Sequence, residues 1–175
     1  LKVRDIERLL AANGIGKSKM DTITRVLRKA GKLPSAGRGA NAPEATVFEA
    51  VKILVATAGS SKGVAAERRW SVLKKLRSDR DGGLSLSRRL QRLMKDANEL
   101  ASIREIRVAR NAREASILFN DGLVELFRLK EPRDYSSRLK VEGVIPVQLL
   151  QTLSEQLLKT EPVPEPVSDQ EEEDD

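Results

Sequence analysis

Two short amphipathic helical patterns meet at an Asn-Gly turn, and this pairing constrains the chain more than any other feature. In the first, Ile6, Leu9 and Leu10 fall on one face of a helix expected over about 4–12. Asn13-Gly14 ends it, because Gly14 accepts the left-handed conformation of a helix terminus. In the second, Met20, Ile23, Leu27 and Ala30 share a face. Ser18 is expected to cap it, with Asp21 three residues on in a shortened capping-box arrangement. Gly31 closes it and Pro34 blocks its extension. Helical geometry then turns Ser18, Asp21, Thr22, Arg25, Arg28 and Lys29 outward.

Composition narrows the chemistry. The 175 residues fit one domain, or a small domain plus a second module. There is no Cys and no His, which removes disulfides, thiolate sites, the usual general base and most zinc sites. The expectation is a protein that is not an enzyme, with no catalytic residue, no metal and no cofactor. No apolar run approaches the roughly 20 residues that span a membrane. The amphipathic, acid-bearing N-terminus is not a secretory signal, so a cytoplasmic protein is expected. The first residue is Leu rather than Met, which leaves open a start that is missing or processed.

The net charge of +6 hides a segregation. Residues 161–175 hold eight acids and no bases, leaving the remainder at +14. Residues 1–38 carry ten bases against three acids, residues 62–95 eleven against three, and residues 96–160 ten of each. A basic face of this kind gains affinity for a polyanion by releasing counterions.

Further along, residues 31–43 read as a loop or wing rich in Gly and Pro. Thr46 and Glu49 form a capping box opening a helix to about Ala58, with Val47, Ala50, Val51, Leu54 and Val55 as its stripe. Another helix is expected from Gly63 to about Arg77 around Trp70, Leu73 and Leu76. A further one is expected from Leu86 to about Leu100. Extended segments follow: Ile103–Val108, then Ala115–Phe119 and Leu123–Phe127 around the hairpin turn Asn120-Asp121-Gly122, then about Arg138–Val144. Pro146 starts a last helix with Val147, Leu150, Leu153 and Leu157 inward. The fold class is α+β and mostly helical. Its parts are a helix pair with an arm-like loop (1–43), a basic helical region (44–100), a small antiparallel sheet with a C-terminal helix (101–160) and an acidic tail expected to be disordered (161–175).

Gly14, Ile15, Met20 and Ile23 supply the turn glycine, the apolar residue after it and the anchors of a second helix. Over about residues 4–31 the chain resembles the helix-turn-helix family of DNA-binding proteins. The family usually carries a small residue where the two helices touch; this chain has Leu10 there, beside Ala11. The resemblance implies double-stranded DNA as partner, with the start of the second helix approaching the bases. Ser18, Lys19, Thr22 and Arg25 are then the base-edge candidates, and Lys17, Arg28, Lys29 and Lys32 the backbone candidates. Gly37-Arg38-Gly39 resembles the Gly-Arg-Pro arm that inserts Arg into a narrow minor groove, with Gly39 in place of the Pro, so Arg38 is the arm candidate.

Gly14-Ile-Gly-Lys17-Ser18 imitates the end of a phosphate-binding P-loop, but Ala11 stands where that motif needs Gly and a helix precedes it instead of a strand. Arg68, Arg69, Lys74, Lys75, Arg88, Arg89 and Arg92 form a second basic patch, either a backbone clamp or a solvated helix face. Acidic pairs such as Glu125 and Glu131 lack metal-ligand spacing and read as surface residues. The acidic tail is a candidate to contact the basic face or a partner protein, or serves as a solubilising end. The expected function is sequence-directed DNA binding by a homo-oligomer, as a bacterial or prophage transcriptional regulator. In layout the chain is also similar to the small terminase subunit of tailed phages, which implies a DNA-packaging ring. An interaction adaptor with a basic docking face is the reading without DNA.

Overall fold

The computed structural model describes residues 1–34, 42–129 and 141–159. The Arg38 arm, Glu131 and the 161–175 tail lie outside the described residues. Helix α1 (Val3–Ala12) and helix α2 (Lys17–Lys29) are followed by α3 (Val47–Gly59), a 3-10 turn at Gly63–Ala65 and α4 (Ala66–Leu73). A two-residue strand β1 (Arg77–Ser78) precedes α5 (Leu86–Leu93) and α6 (Ala97–Ala101). Then come β2 (Ile103–Ala109), β3 (Glu114–Phe119), β4 (Val124–Arg128), β5 (Glu142–Pro146) and α7 (Val147–Leu158). The class is α+β, as the sequence implies. Among the described residues no helix is long and apolar enough to cross a membrane.

Local signals set most of these boundaries. The Thr46 hydroxyl accepts from the Glu49 amide at 3.3 Å, and the Glu49 carboxylate accepts from the Thr46 amide at 2.8 Å. This reciprocal bonding satisfies two amide groups that the start of α3 would otherwise leave unpaired. Pro146 opens α7, and Val147, Leu150, Leu153 and Leu157 are buried on its inner side. Three boundaries differ from expectation. The helix around Trp70 stops at Leu73, and Arg77–Ser78 pairs with β4 instead. The helix expected to reach Leu100 is broken after Leu93, and Asp96 caps a separate α6 by accepting from the Glu99 amide at 2.9 Å. The last strand begins at Glu142, and residues 138–140 of its expected range lie outside the described residues.

The sheet is antiparallel, in the order β1-β4-β3-β2-β5. Its packed face alternates along each strand, with Ile106 and Val108, Ala115 and Ile117, Phe127, and Ile145 turned into the core. One hydrophobic cluster runs from Val3 to Leu157, so the segments distinguished in the sequence share a core. At its centre lies α3, buried without a break from Ala50 to Gly59 and touching α1, α2, α4, α5, α7, β2 and β5. A helix apolar all round can only be an interior one.

Candidate nucleic-acid interface

Helix α2 is held by its ends and by its apolar side. Its predecessor α1 finishes in a double reverse bond: the Gly14 amide donates to the Ala11 carbonyl at 3.2 Å and the Ile15 amide to the Leu10 carbonyl at 3.1 Å. Gly14 adopts φ +88° there, which side-chain-bearing residues resist. The same closure recurs after α2, with Gly31 at φ +65° and the Lys32 amide donating to the Leu27 carbonyl at 2.8 Å. Ser18 is not the cap; Gly16 occupies the N-cap position and no side chain bonds there. An isolated helix of this length is marginal in water. Burial of Met20, Ile23 and Leu27 therefore holds α2, each buried side chain contributing about 1.5–3 kcal/mol. Leu10 is 1% exposed and belongs to the same core.

The base-edge candidates separate into two sets. Ser18 and Arg25 are exposed, on a stripe that also holds Lys17, Asp21 and Lys29. From Ser18 to Lys29 this stripe extends roughly 16 Å at the helical rise. Lys19 and Thr22 are half-buried instead. The 3-10 turn lies against them: a Cβ on Gly63 would fall 2.9 Å from Thr22 Cγ2 and 3.3 Å from the Lys19 carbonyl oxygen. Thr22 is thus not fully outward, and its hydroxyl donates to the Ser18 carbonyl at 2.9 Å. Burial, with the Arg110 guanidinium adding repulsion, lowers the Lys19 pKa from the ordinary lysine value.

The backbone candidates divide as well. Lys17 and Lys29 are exposed. Arg28 turns toward α1 and pairs with Glu7 at 3.4 Å, a contact between the two helices. The Lys32 carbonyl accepts from the Lys52 ammonium, which also lies 4.4 Å from the centre of the Phe48 ring. Burial lowers the Lys52 pKa; Lys32 and Lys74 lower it further and Glu49 opposes them. Lys32, Lys52 and Lys74 therefore gather where α2 and α4 end.

Two residues of the second basic patch are tied into the fold, Arg69 half-buried and Arg89 fully buried. Arg69 Nε donates to the Gly59 carbonyl at 3.0 Å, and its Nη2 to the Ala112 carbonyl at 2.9 Å and to the Ala109 carbonyl. It closes the C-terminal end of α3, where helix carbonyls lack internal partners, and ties the β2–β3 turn to it. Burial, then nearby Arg113, lowers its pKa. Arg89 is buried between two carboxylates, 3.0 Å from Glu125 and 2.7 Å from Glu99. Desolvation pulls its pKa down, but the hydrogen bonds to Glu125 and Glu99 outweigh it and the net shift is upward. Glu125 is accordingly no surface residue: it is 2% exposed, accepts from Ser78 at 2.5 Å and occupies the packed face of β4. Arg68, Lys75, Arg88 and Arg92 are exposed and Lys74 half-buried.

Three cations belong to no candidate set: Lys62, beside the Gly63 that rests on α2's first turns; Arg110 in the β2–β3 turn, which repels Lys19; and Arg113, farther along that turn and beside Arg69. The Arg spacing in Arg107-Val-Ala-Arg110-Asn-Ala-Arg113 was the available signal, diluted by the equal charges of residues 96–160. A pocket of about 210 Å³ lined by Arg77, Ser78, Asp79, Leu126, Arg128 and Leu129 shares no residue with this region. Among the described residues no three carboxylates cluster as metal ligands would. Compared with known proteins, the chain matches no family model, no curated protein and no solved structure.

Proposed function

We propose that the chain binds double-stranded DNA by laying the exposed stripe of α2 against the duplex. The observation that carries this reading is the stripe itself. Lys17, Arg25 and Lys29 stand exposed on a helix held between two glycine turns, and among the described residues none of them forms an ion pair. Ser18 and Arg25 face base edges, while Lys17 and Lys29 take phosphates. Asp21, between them, repels phosphate and suits a cytosine amino group. A single ridge covers few base pairs, so the working form is a dimer or ring in the cytoplasm, acting as a bacterial or prophage transcriptional regulator.

Selection of bound sequences from random duplex DNA tests the reading. The expected result is an enriched motif that loses preference at one position in Arg25→Ala, with about 5- to 150-fold weaker binding. Failure of the unaltered protein to enrich any sequence overturns sequence-directed binding. A dimer in solution fits the regulator, whereas a ring of subunits moves the role to DNA packaging.

A further inference from the structure

We propose that Lys19, Lys62, Arg110 and Arg113 form a second phosphate-binding platform beside α2, taking the sugar-phosphate backbone of the same duplex. This inference rests on the DNA-binding reading and adds residues that the sequence pattern did not mark.

Three segments distant in sequence converge there. The Lys62-Gly63 turn sits on the first turns of α2, in contact with Thr22 and the Lys19 carbonyl. The β2–β3 turn is pinned beside the C-terminal end of α3: Arg110 Nε donates to the Ala58 carbonyl at 3.1 Å, and Arg69 bridges the Gly59 and Ala112 carbonyls. Its other side is held where the Val141 amide donates to Asn111 Oδ1 at 2.9 Å. The cations are thus carried on fixed backbone, so less order is lost when a partner binds.

Charge says what kind of partner fits. Lys62 and Arg113 are exposed, Lys19 and Arg110 half-buried, and among the described residues none of the four forms an ion pair. Lys19 and Arg110 repel one another, as do Arg69 and Arg113. An anion placed over the group relieves that repulsion. The cations are spread over three segments of surface, and none of them lines the pocket at Arg77 and Arg128. A chain of phosphates fits such a surface better than one small anion. Adjacency to the α2 stripe makes the duplex backbone the occupant, reached while α2 engages the groove.

The test measures binding of a 20-base-pair duplex by the full chain across a salt series. The double variant Lys62→Gln/Arg113→Gln removes two exposed charges that make no hydrogen bond within the described residues. Lys95→Gln/Lys159→Gln is the control of equal charge change. The platform predicts that Lys62→Gln/Arg113→Gln lowers the slope of log affinity against log salt by about 2, and weakens binding alike on all sequences. The control keeps the parent slope. If the parent binds with a steep slope and Lys17→Gln/Lys29→Gln weakens it, but Lys62→Gln/Arg113→Gln matches the control, the platform is overturned and the α2 reading stands. If the parent itself shows no salt-dependent binding, both fall.

Discussion

Replacing Glu125 by Leu tests the buried cluster that joins α5, α6 and the sheet. Glu125 and Arg89 are 2% and 5% exposed in their side chains and 3.0 Å apart. Removing the carboxylate takes one partner from a buried guanidinium that Glu99 still contacts, and takes an acceptor from the Ser78 hydroxyl. Breaking a buried pair from one side costs about 3–5 kcal/mol; because Glu99 still holds Arg89, the loss should sit near 3. Arg89→Met strands the more deeply buried carboxylate and should cost about 4–5. The double variant Arg89→Met/Glu125→Leu leaves no unpaired charge at that pair and should cost less than either single change. For a chain of this length 3 kcal/mol corresponds to a fall in Tm of roughly 6–12 °C. Urea unfolding followed by circular dichroism at pH 7 supplies the three differences. With the double variant below about 3, the coupling should reach at least about 4 kcal/mol. If the single losses simply add in the double variant, the pair does not exist as described and the burial of Glu125 is wrong.

Gly63→Ala should destabilise by about 1–3 kcal/mol, since its Cβ would crowd Thr22 Cγ2 at 2.9 Å. Adding Thr22→Ser, which removes that methyl, should recover part of the loss in the same unfolding assay; no recovery would separate the turn from α2. In a lysine-resolved NMR titration, Lys19 should deprotonate below the ordinary lysine value, and Arg110→Gln should raise its midpoint only partly, because burial is the larger cause. A lowered folded pKa penalises the charged form, so this contribution to stability is missing below the folded pKa and recovered as pH rises toward about 10.4. An unmoved midpoint in Arg110→Gln would place that guanidinium elsewhere. Gly143→Ala puts a Cβ into the Ala58 carbonyl on α3 and should cost at least about 3 kcal/mol by thermal melting; a neutral result would mean β5 does not press on that helix.

Elements with local causes are legible in the chain alone. Gly14 and Gly31 close helices through bonds reaching at most five residues, and Thr46 with Glu49 opens one within a single turn. The Asn120-Asp121-Gly122 turn joins β3 to β4, and alternating burial follows from the period of the strand. What tertiary structure decided is the direction and partner of each charge. Arg68 and Arg69 are neighbours on one helix, as are Arg88 and Arg89, yet the first of each pair meets solvent while the second is bound by acceptors, Arg69 half-buried and Arg89 fully buried. Periodicity fixes the angle between neighbouring side chains, about 100° along a helix, but not which of two like charges finds an acceptor. Those acceptors come from far along the chain: Glu125 stands 36 residues from Arg89, and Ala109 stands 40 from Arg69. The candidate site divides the same way. Its helix and the exposed Ser18, Asp21, Arg25 and Lys29 were readable from spacing, whereas the turn that covers Thr22, the pairing of Arg28 with Glu7 and the placement of Arg110 beside Lys19 come from packing. Burying a cation requires an acceptor at the right place. That place is a property of the packed chain and not of any window within it.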